Sequence, residues 1–507
     1  MATVVSFIRA ARAHLLIAVA LVMAVLAAPA GAAVGVLEVQ SGGYGHGVGM
    51  SQYGADGYAQ HGAGYRFILA HYYRHTSIGL TDPGQTVRVL LSSSGEPTFS
   101  GASQAGGTSL RAGVSYTVAP NADGMLTLSF HGYDHKTHKP AVKKLGPFAA
   151  PLTVSGTGAL RLAGKGTYDG SLAFRPAGGG SVQTVEAVGL DDYVSGVVPS
   201  EVPSSWPIAA LKAQAVAART YAITSDVNGG DYNLYDDTRS QAYGGVDAET
   251  ARTNEAVGAT SGQIVTYRAA PAITYFFSSS GGHTESIQNV WPGASREPWL
   301  VGVPDPFDAA GGHDRYHHVV HVLGLAAAAA RLHGLFGGSF EGVRVLRHGV
   351  SPRVLRAQVI GSRASSTTTG TDLERRLGLL TDWEVFDTVT ATAGDAPAGD
   401  GGTAKAEEAR AARAAGQTAG AAQTQGMAAL VPLVDTLLVQ AIPGLHGTVV
   451  PARAGAPLVV ELRDHGRWHV VVRASIDGGG RYDVALPGHG TYRVRYRGLT
   501  TAPVTVS

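Results

Sequence analysis

An α+β fold is predicted, and three observations predict it. From Thr86 to about Phe174 the chain alternates apolar and polar residues in short runs such as VRVLLSS, GMLTLSF and GSLAFRP, split by Gly, Asn and Pro. That is the pattern of antiparallel strands joined by tight turns. Helical spacing takes over at Tyr65, Ile68, Leu69 and Tyr72, and again in the Ala-rich run IAALKAQAVAARTYAI that starts at Ile208. Strands then return near the C-terminus in PLVVELR, RWHVVVRASI, GRYDVAL and TYRVRYRG.

The N-terminus reads as a targeting signal. Arg9 and Arg12 flank the apolar run LLIAVALVMAVLAAP, and Ala30-Gly31-Ala32 offers a small-x-small cleavage site. Residues 1–32 are therefore expected to be a secretory signal peptide. The run is shorter than the ~20 residues of a full span. No Cys follows and no second long apolar stretch exists, so no transmembrane anchor is expected after cleavage.

Residues 33–85 pair a Gly-rich loop, SGGYGHGVGMSQYG, with the helix from Tyr65 to Tyr73. Residues 86–182 form the antiparallel β module, inside which HGYDHKTHKPAVKK reads as a basic, solvated loop. Residues 183–386 are mixed. DYVSGVVPS reads as a strand and loop, and Pro207 suits the first turn of the helix that follows, with Ser204 or Ser205 as its cap. A second helix is expected over about Ala248–Thr260, then paired strands QIVTY and AITYFFSS around a turn at Ala269-Ala270. VRVLRHGVSPRVLRAQVIG is a hairpin turning at residues 349–352, and Thr371 with Glu374 form a capping box for LERRLGLL. Residues 387–430, rich in Ala and Gly, read as a linker, and 431–507 as a small β-sandwich.

Composition bounds the function. A chain of 507 residues suits two or three domains, and 44% hydrophobic residues can build sizeable cores. The net charge of +1 lacks the concentrated basic field that nucleic acid binding needs. With no cysteine, disulfides, thiol nucleophiles and Cys-based metal sites are excluded.

Three segments carry candidate chemistry. Glu201 lies at a loop end before a helix whose Lys212, Val216 and Arg219 share one face. A carboxylate beside two cations fits a sugar-cleaving site, or an ordinary salt bridge on a helix shoulder. The glycines at 43, 45, 47, 49 and 54 let a backbone approach a ligand closely, with His46, Ser51, Gln52 and Tyr53 supplying polar groups, or they simply build a turn. FSSSGGHTES brings hydroxyls, His283 and Glu285 together, but without the G-x-S-x-G elbow of a serine hydrolase. His283, His313, His317 and His318 could bind zinc, as loop histidines sometimes do.

Four of these segments resemble the sporulation stage II protein D family, SpoIID/LytB: DDYVSGVVPSEVPSSWPIAALKAQAVAARTYA, DTRSQAYGG, YFFSSSGGHTES and GYGHGVGMSQYGADGYAQHGAGYRFILAHYY. The resemblance spans roughly residues 41–385. It implies a SpoIID-like region acting on peptidoglycan glycan strands as a lytic transglycosylase, with Glu201 as catalytic acid. It also implies substrate contacts from Lys212, Arg219, His46, Ser51, Gln52, Tyr53, Ser280 and His283. Other members are amidase enhancers without chemistry of their own, which leaves a non-catalytic wall-binding protein with a wall amidase as partner as the alternative. Either reading places the protein outside the cell or in the wall.

Two departures from the family pattern stand out. GHGVGMSQYG usually closes the family's domain but here precedes it, so the domain reads as circularly permuted, with the loop folding back beside Glu201. Some members bind zinc through Cys or His near the D-T motif and in the S-x-x-G-G loop. Ser240 and Ser280 stand in those places here, so neither a metal nor another cofactor is expected.

Overall fold

A computed structural model of the chain describes residues 33–93, 95–136, 138–227, 229–310, 312, 314–395 and 443–507. The signal-peptide reading, and the linker reading beyond Asp395, fall outside those residues. The architecture is α+β, with several antiparallel sheets and a small β-rich module at the C-terminus. No described helix is long and apolar enough to cross a membrane. The described residues divide into two units: those within 42–319 with 349–353, and 33–41 with 320–348, 354–395 and 443–507.

The first unit contains Glu201. Its largest sheet runs in the order Leu234–Tyr235, Thr86–Ser92, Ser181–Gly189, Ser171–Ala177, Leu152–Ser155, Gln104–Ala105 and Thr108–Ser109. A second sheet holds Lys139–Phe148 and Leu126–Asp134, so the segment read as a solvated basic loop is instead an antiparallel hairpin, with Lys139 opposite Asp134 and Lys143 opposite Phe130. Its lysines mostly face solvent, which is why the segment reads as loop from composition.

Five helices position the site: α1 (Gln52–Gln60), α2 (Tyr65–Tyr72), α3 (Leu190–Glu201), α4 (Ile208–Thr224) and α5 (Ala251–Gly258). The α3 segment is a helix, not the strand and loop expected from its valines. Leu190, Tyr193, Val194, Val197 and Val198 recur at helical spacing and are all buried. Asp191 and Asp192 in the first turn favour the positive end of the helix dipole.

Helix α4 is apolar on nearly every side because it separates two cores. Leu211, Ala215 and Ala218 face the core of the large sheet, and Ala213, Val216 and Ala217 face a second core built by Met50, Tyr58, Ile68, Leu69 and Tyr72. The N-cap of α4 is Pro207 and makes no side-chain bond, so neither Ser204 nor Ser205 caps it.

In the other unit, one sheet runs Val319–Gly324, Val34–Ser41, Glu384–Asp395, Pro443–Val450 and Arg481–Ala485. The strand Glu384–Asp395 thus continues past 387, where the linker was expected to begin. The C-terminal strands pair with it, Val389 opposite Val449. Strand Val34–Ser41 pairs with the same strand, so it belongs to this sheet rather than with the Gly-rich loop it precedes. The expected hairpin at 349–352 forms between Phe340–His348 and Val354–Gly361. Helix Gly370–Leu377 is capped by Thr369, whose hydroxyl accepts from the Asp372 N–H, and not by a Thr371–Glu374 box.

Candidate functional site around Glu201

Glu201 is the last residue of α3, and the chain leaves it in an extended conformation at Val202 (φ −136°, ψ 149°). Its side chain is half-buried and held by two donors. The Ala242 N–H donates to Oε1 at 2.6 Å, and the Gln52 amide donates to Oε2 at 3.0 Å. Burial pushes the carboxyl pKa up, opposed by those two hydrogen bonds. No cation among the described residues pairs with it. The salt bridge that the sequence left open as an alternative is therefore not formed.

Gln52 arrives by a chain of specific contacts. Met50–Ser51 lies parallel to Phe276–Phe277, which sets the Gly-rich loop against the FSSSGG segment. Ser51 is the N-cap of α1: its Oγ accepts from the Gly54 N–H at 3.1 Å and donates to Asp308 Oδ1 at 2.7 Å. Gly54 is required inside the helix, because a Cβ there would lie 2.1 Å from the Tyr72 hydroxyl. Ser51 is fully buried, so its role is to start the helix that presents Gln52 and Tyr53, and it has no surface for substrate.

Arg219 is likewise a structural residue. Its side chain is 0% exposed and is consumed by Asp191 Oδ1 at 2.5 Å and by the carbonyls of Gln263 (3.1 Å), Ala215 (3.4 Å) and Val257 (3.5 Å). The substrate role expected for it would need a surface that this burial does not leave. Lys212, on the same helix, stays half-exposed and forms no ion pair among the described residues. Ser280 is fully buried, donating to Asp305 Oδ2 at 2.9 Å, so it too is withdrawn from any ligand. His283 is half-buried, its Nδ1 bonded to the Thr284 carbonyl at 2.7 Å. His46 packs among the rings of Trp291 (5.1 Å), Phe277 (5.4 Å) and Tyr275 (6.1 Å). Burial, and then the charge of Arg353, lower its pKa to about 3 against a backbone hydrogen bond at Phe276, which leaves it a neutral imidazole.

Two aspartates that the sequence reading passed over tie these pieces together. Asp308 accepts from Ser51 Oγ, Ser279 Oγ, the N–H groups of Ser280 and Gly281, and His317 Nδ1. Asp305 accepts from the Tyr72 hydroxyl at 2.8 Å and from Ser280; burial and the Asp308 charge push it up to about 7. Both lie in the run VPDPFD, where two buried acids among apolar residues were the available signal. Asp308, Asp314 and His317 bring one potential metal-ligand atom each within 4.8 Å of one another. Asp308 already takes part in hydrogen bonds with five protein groups, and one of them, the Ser279 hydroxyl, lies between Asp308 and Asp314.

A Gly-rich loop is thus seated against the FSSSGG segment in an α+β domain, and the helix it starts carries Gln52 to the Glu201 carboxyl, which has no cation partner among the described residues. That domain is homologous to the SpoIID/LytB, or amidase-enhancer, family. The family model described as Stage II sporulation protein matches residues 178–267, a span that holds Glu201, Lys212 and Arg219 but not the loop from His46 to Tyr53. The amidase enhancer of Bacillus subtilis (strain 168) is 40% identical over 115 residues, 23% of this chain and 15% of that protein. Stage II sporulation protein D of the same organism is 38% identical over 143 residues, 25% of this chain and 41% of the relative. An uncharacterized protein of Brachyspira hyodysenteriae is 40% identical over 139 residues, 27% of this chain and 37% of the relative. The chain thus spans less than half the length of the curated relatives it matches.

Proposed function

We propose that this protein binds peptidoglycan glycan strands around Glu201 and acts as a non-catalytic amidase enhancer, secreted or held at the cell wall. The observation that carries this reading is the pair of donors, Gln52 and Ala242, on a half-buried carboxyl that no cation neutralises. Such a group can hold sugar hydroxyl and acetamido groups by hydrogen bonds. The amidase-enhancer relative supports the same reading. Gln52 comes from a segment 149 residues before Glu201, and we read this as a circular permutation of the family's domain. Lys212 supplies a contact to the carboxylates of stem peptides.

One observation favours a second reading, lytic transglycosylation. The pKa of Glu201 is raised by burial, as a general acid requires. Glu201 would protonate the glycosidic oxygen between N-acetylmuramic acid and N-acetylglucosamine. The muramyl C6 hydroxyl would attack its own C1 and return its proton to Glu201, leaving a 1,6-anhydro end without water.

The two readings part in one experiment. Purified glycan strands, with and without stems, are incubated with wild type and Glu201→Gln, and both bound glycan and anhydro-muramyl ends are measured. Binding without anhydro ends, together with stimulation of an added wall amidase, is the expected result. Anhydro ends that vanish in Glu201→Gln would establish turnover instead. Neither binding nor turnover would refute both.

A further inference from the structure

Four aromatic side chains follow one another ring to ring, starting from the loop after Glu201. Trp206 follows Glu201 on the loop leading to α4, and its ring centroid is 5.3 Å from that of Tyr53. Tyr53 is the neighbour of Gln52 and lies 6.5 Å from Tyr316, which in turn lies 4.9 Å from Tyr44. None of the four is buried: Trp206, Tyr53 and Tyr316 keep partial exposure, and Tyr44 is 41% exposed. Large rings left partly in water at one place mark a binding surface more often than a core.

Their backbones are fixed even though the rings are open. The Arg252 guanidinium donates to the Trp206 carbonyl at 3.0 Å. The Tyr53 N–H donates to Ser278 O, and Tyr44 and Ser279 exchange backbone hydrogen bonds. The Gly43 N–H donates to Tyr316 O, and Arg315 donates to the Tyr316 hydroxyl at 2.7 Å. A surface held in this way loses little entropy when it takes up a ligand. Successive rings are inclined by 61°, 71° and 53°, so they offer separate faces rather than one flat platform. Pyranose rings present apolar C–H faces to aromatic rings, and in a twisting β-linked strand each sugar is turned relative to the last.

We propose that Trp206, Tyr53, Tyr316 and Tyr44 form consecutive stacking subsites leading from Glu201, which grip a β-linked N-acetylhexosamine strand over several sugars. The inference rests on the glycan-binding reading above and adds to it a length requirement. Short oligomers occupy the Glu201 end, and only longer ones reach Tyr316 and Tyr44.

The test is calorimetric titration of the full chain with N-acetylated chitin oligosaccharides of two, three and six sugars. Wild-type affinity should rise with length. Tyr44→Ala and Tyr316→Ala should each weaken the six-sugar ligand about tenfold, the loss of roughly one stacking contact. Binding of the two-sugar ligand should stay unchanged, and Tyr44→Trp should restore the long ligand. Melting curves of the variants show whether they are folded, and Tyr44, being exposed, is the variant least able to disturb the fold. If affinity rises with length in wild type and in both alanine variants alike, the row is overturned while glycan binding stands. If wild type binds neither these oligomers nor purified glycan strands, the binding reading itself fails, and the row with it.

Discussion

Arg219→Met separates a structural guanidinium from a ligand contact. In the native protein the Arg219 side chain is 0% exposed, and its nitrogens meet Asp191 and the carbonyls of Gln263, Ala215 and Val257. Methionine fills much the same volume but donates nothing. Breaking a buried ion pair by removing one partner costs about 3–5 kcal/mol. The Asp191 side chain keeps 21% exposure, so water can re-solvate part of it, and the lower end of that range, about 3 kcal/mol, is the expected loss. For a unit of this size each kcal/mol lowers the melting temperature by roughly 2–4 °C. A fall of about 6–12 °C is therefore expected in a thermal melt followed by circular dichroism. Asp191→Asn should also destabilise, since it leaves the buried charge without its partner, and the double variant should lose less than the sum of the two. A variant that melts with wild type yet no longer binds glycan would refute the reasoning and return Arg219 to the proposed ligand contacts.

The remaining predictions concern protons, metal and the tail. Because the native state of Glu201 holds its proton more tightly than the unfolded chain, its contribution to stability is present below the ordinary carboxylate range and is lost as pH rises through the raised value. Glu201→Gln should thus gain on wild type in melting temperature between about pH 4 and pH 8, and parallel curves would contradict this. His46, lowered to about 3, should show no protonation by NMR as pH falls from 8 to 5; its contribution to stability is complete above the unfolded value near 6.5 and is lost as pH falls towards 3. With Asp308 already hydrogen-bonded to protein groups, chelation with EDTA should leave the melting temperature unchanged, and a drop would reveal a resident ion. Limited proteolysis should cut first between about 396 and 430, and the two pieces should co-elute, because Glu384–Asp395 is hydrogen-bonded to Pro443–Val450. Separate elution would show that this sheet does not hold them.

Legibility in the sequence followed the range of the interactions involved. The β module and helix α2 were readable because period and turn residues act over a few positions. Helix α3 carries three valines, which favour strands by propensity, and burial at the i, i+3, i+4 spacing of Leu190, Tyr193 and Val194 overrides them. Helix α1 was hidden by Gly54 and Gly57, poor helix formers that are needed because Tyr72 and Phe307 press on that side. The family segments pointed to Glu201, but they could not separate buried from accessible polar residues. Ser51, Ser280 and Arg219 look in sequence like ligand contacts, and each is taken by a partner far along the chain: Asp308, Asp305 and Gln263.

The Gln52–Glu201 hydrogen bond spans 149 residues, and the order of synthesis gives that span a meaning. Gln52 leaves the ribosome long before Glu201 exists, and the strand that seats its loop, Phe276–Phe277, comes later still. Contacts of such separation form late, after much chain entropy has been given up. A nascent or truncated chain ending before Asp308 would lack the acceptor of Ser51 and could not seat Gln52. If the proposed glycan binding holds, affinity would then appear in a refolding experiment only with the last tertiary signal, so binding would report that the whole unit has been completed.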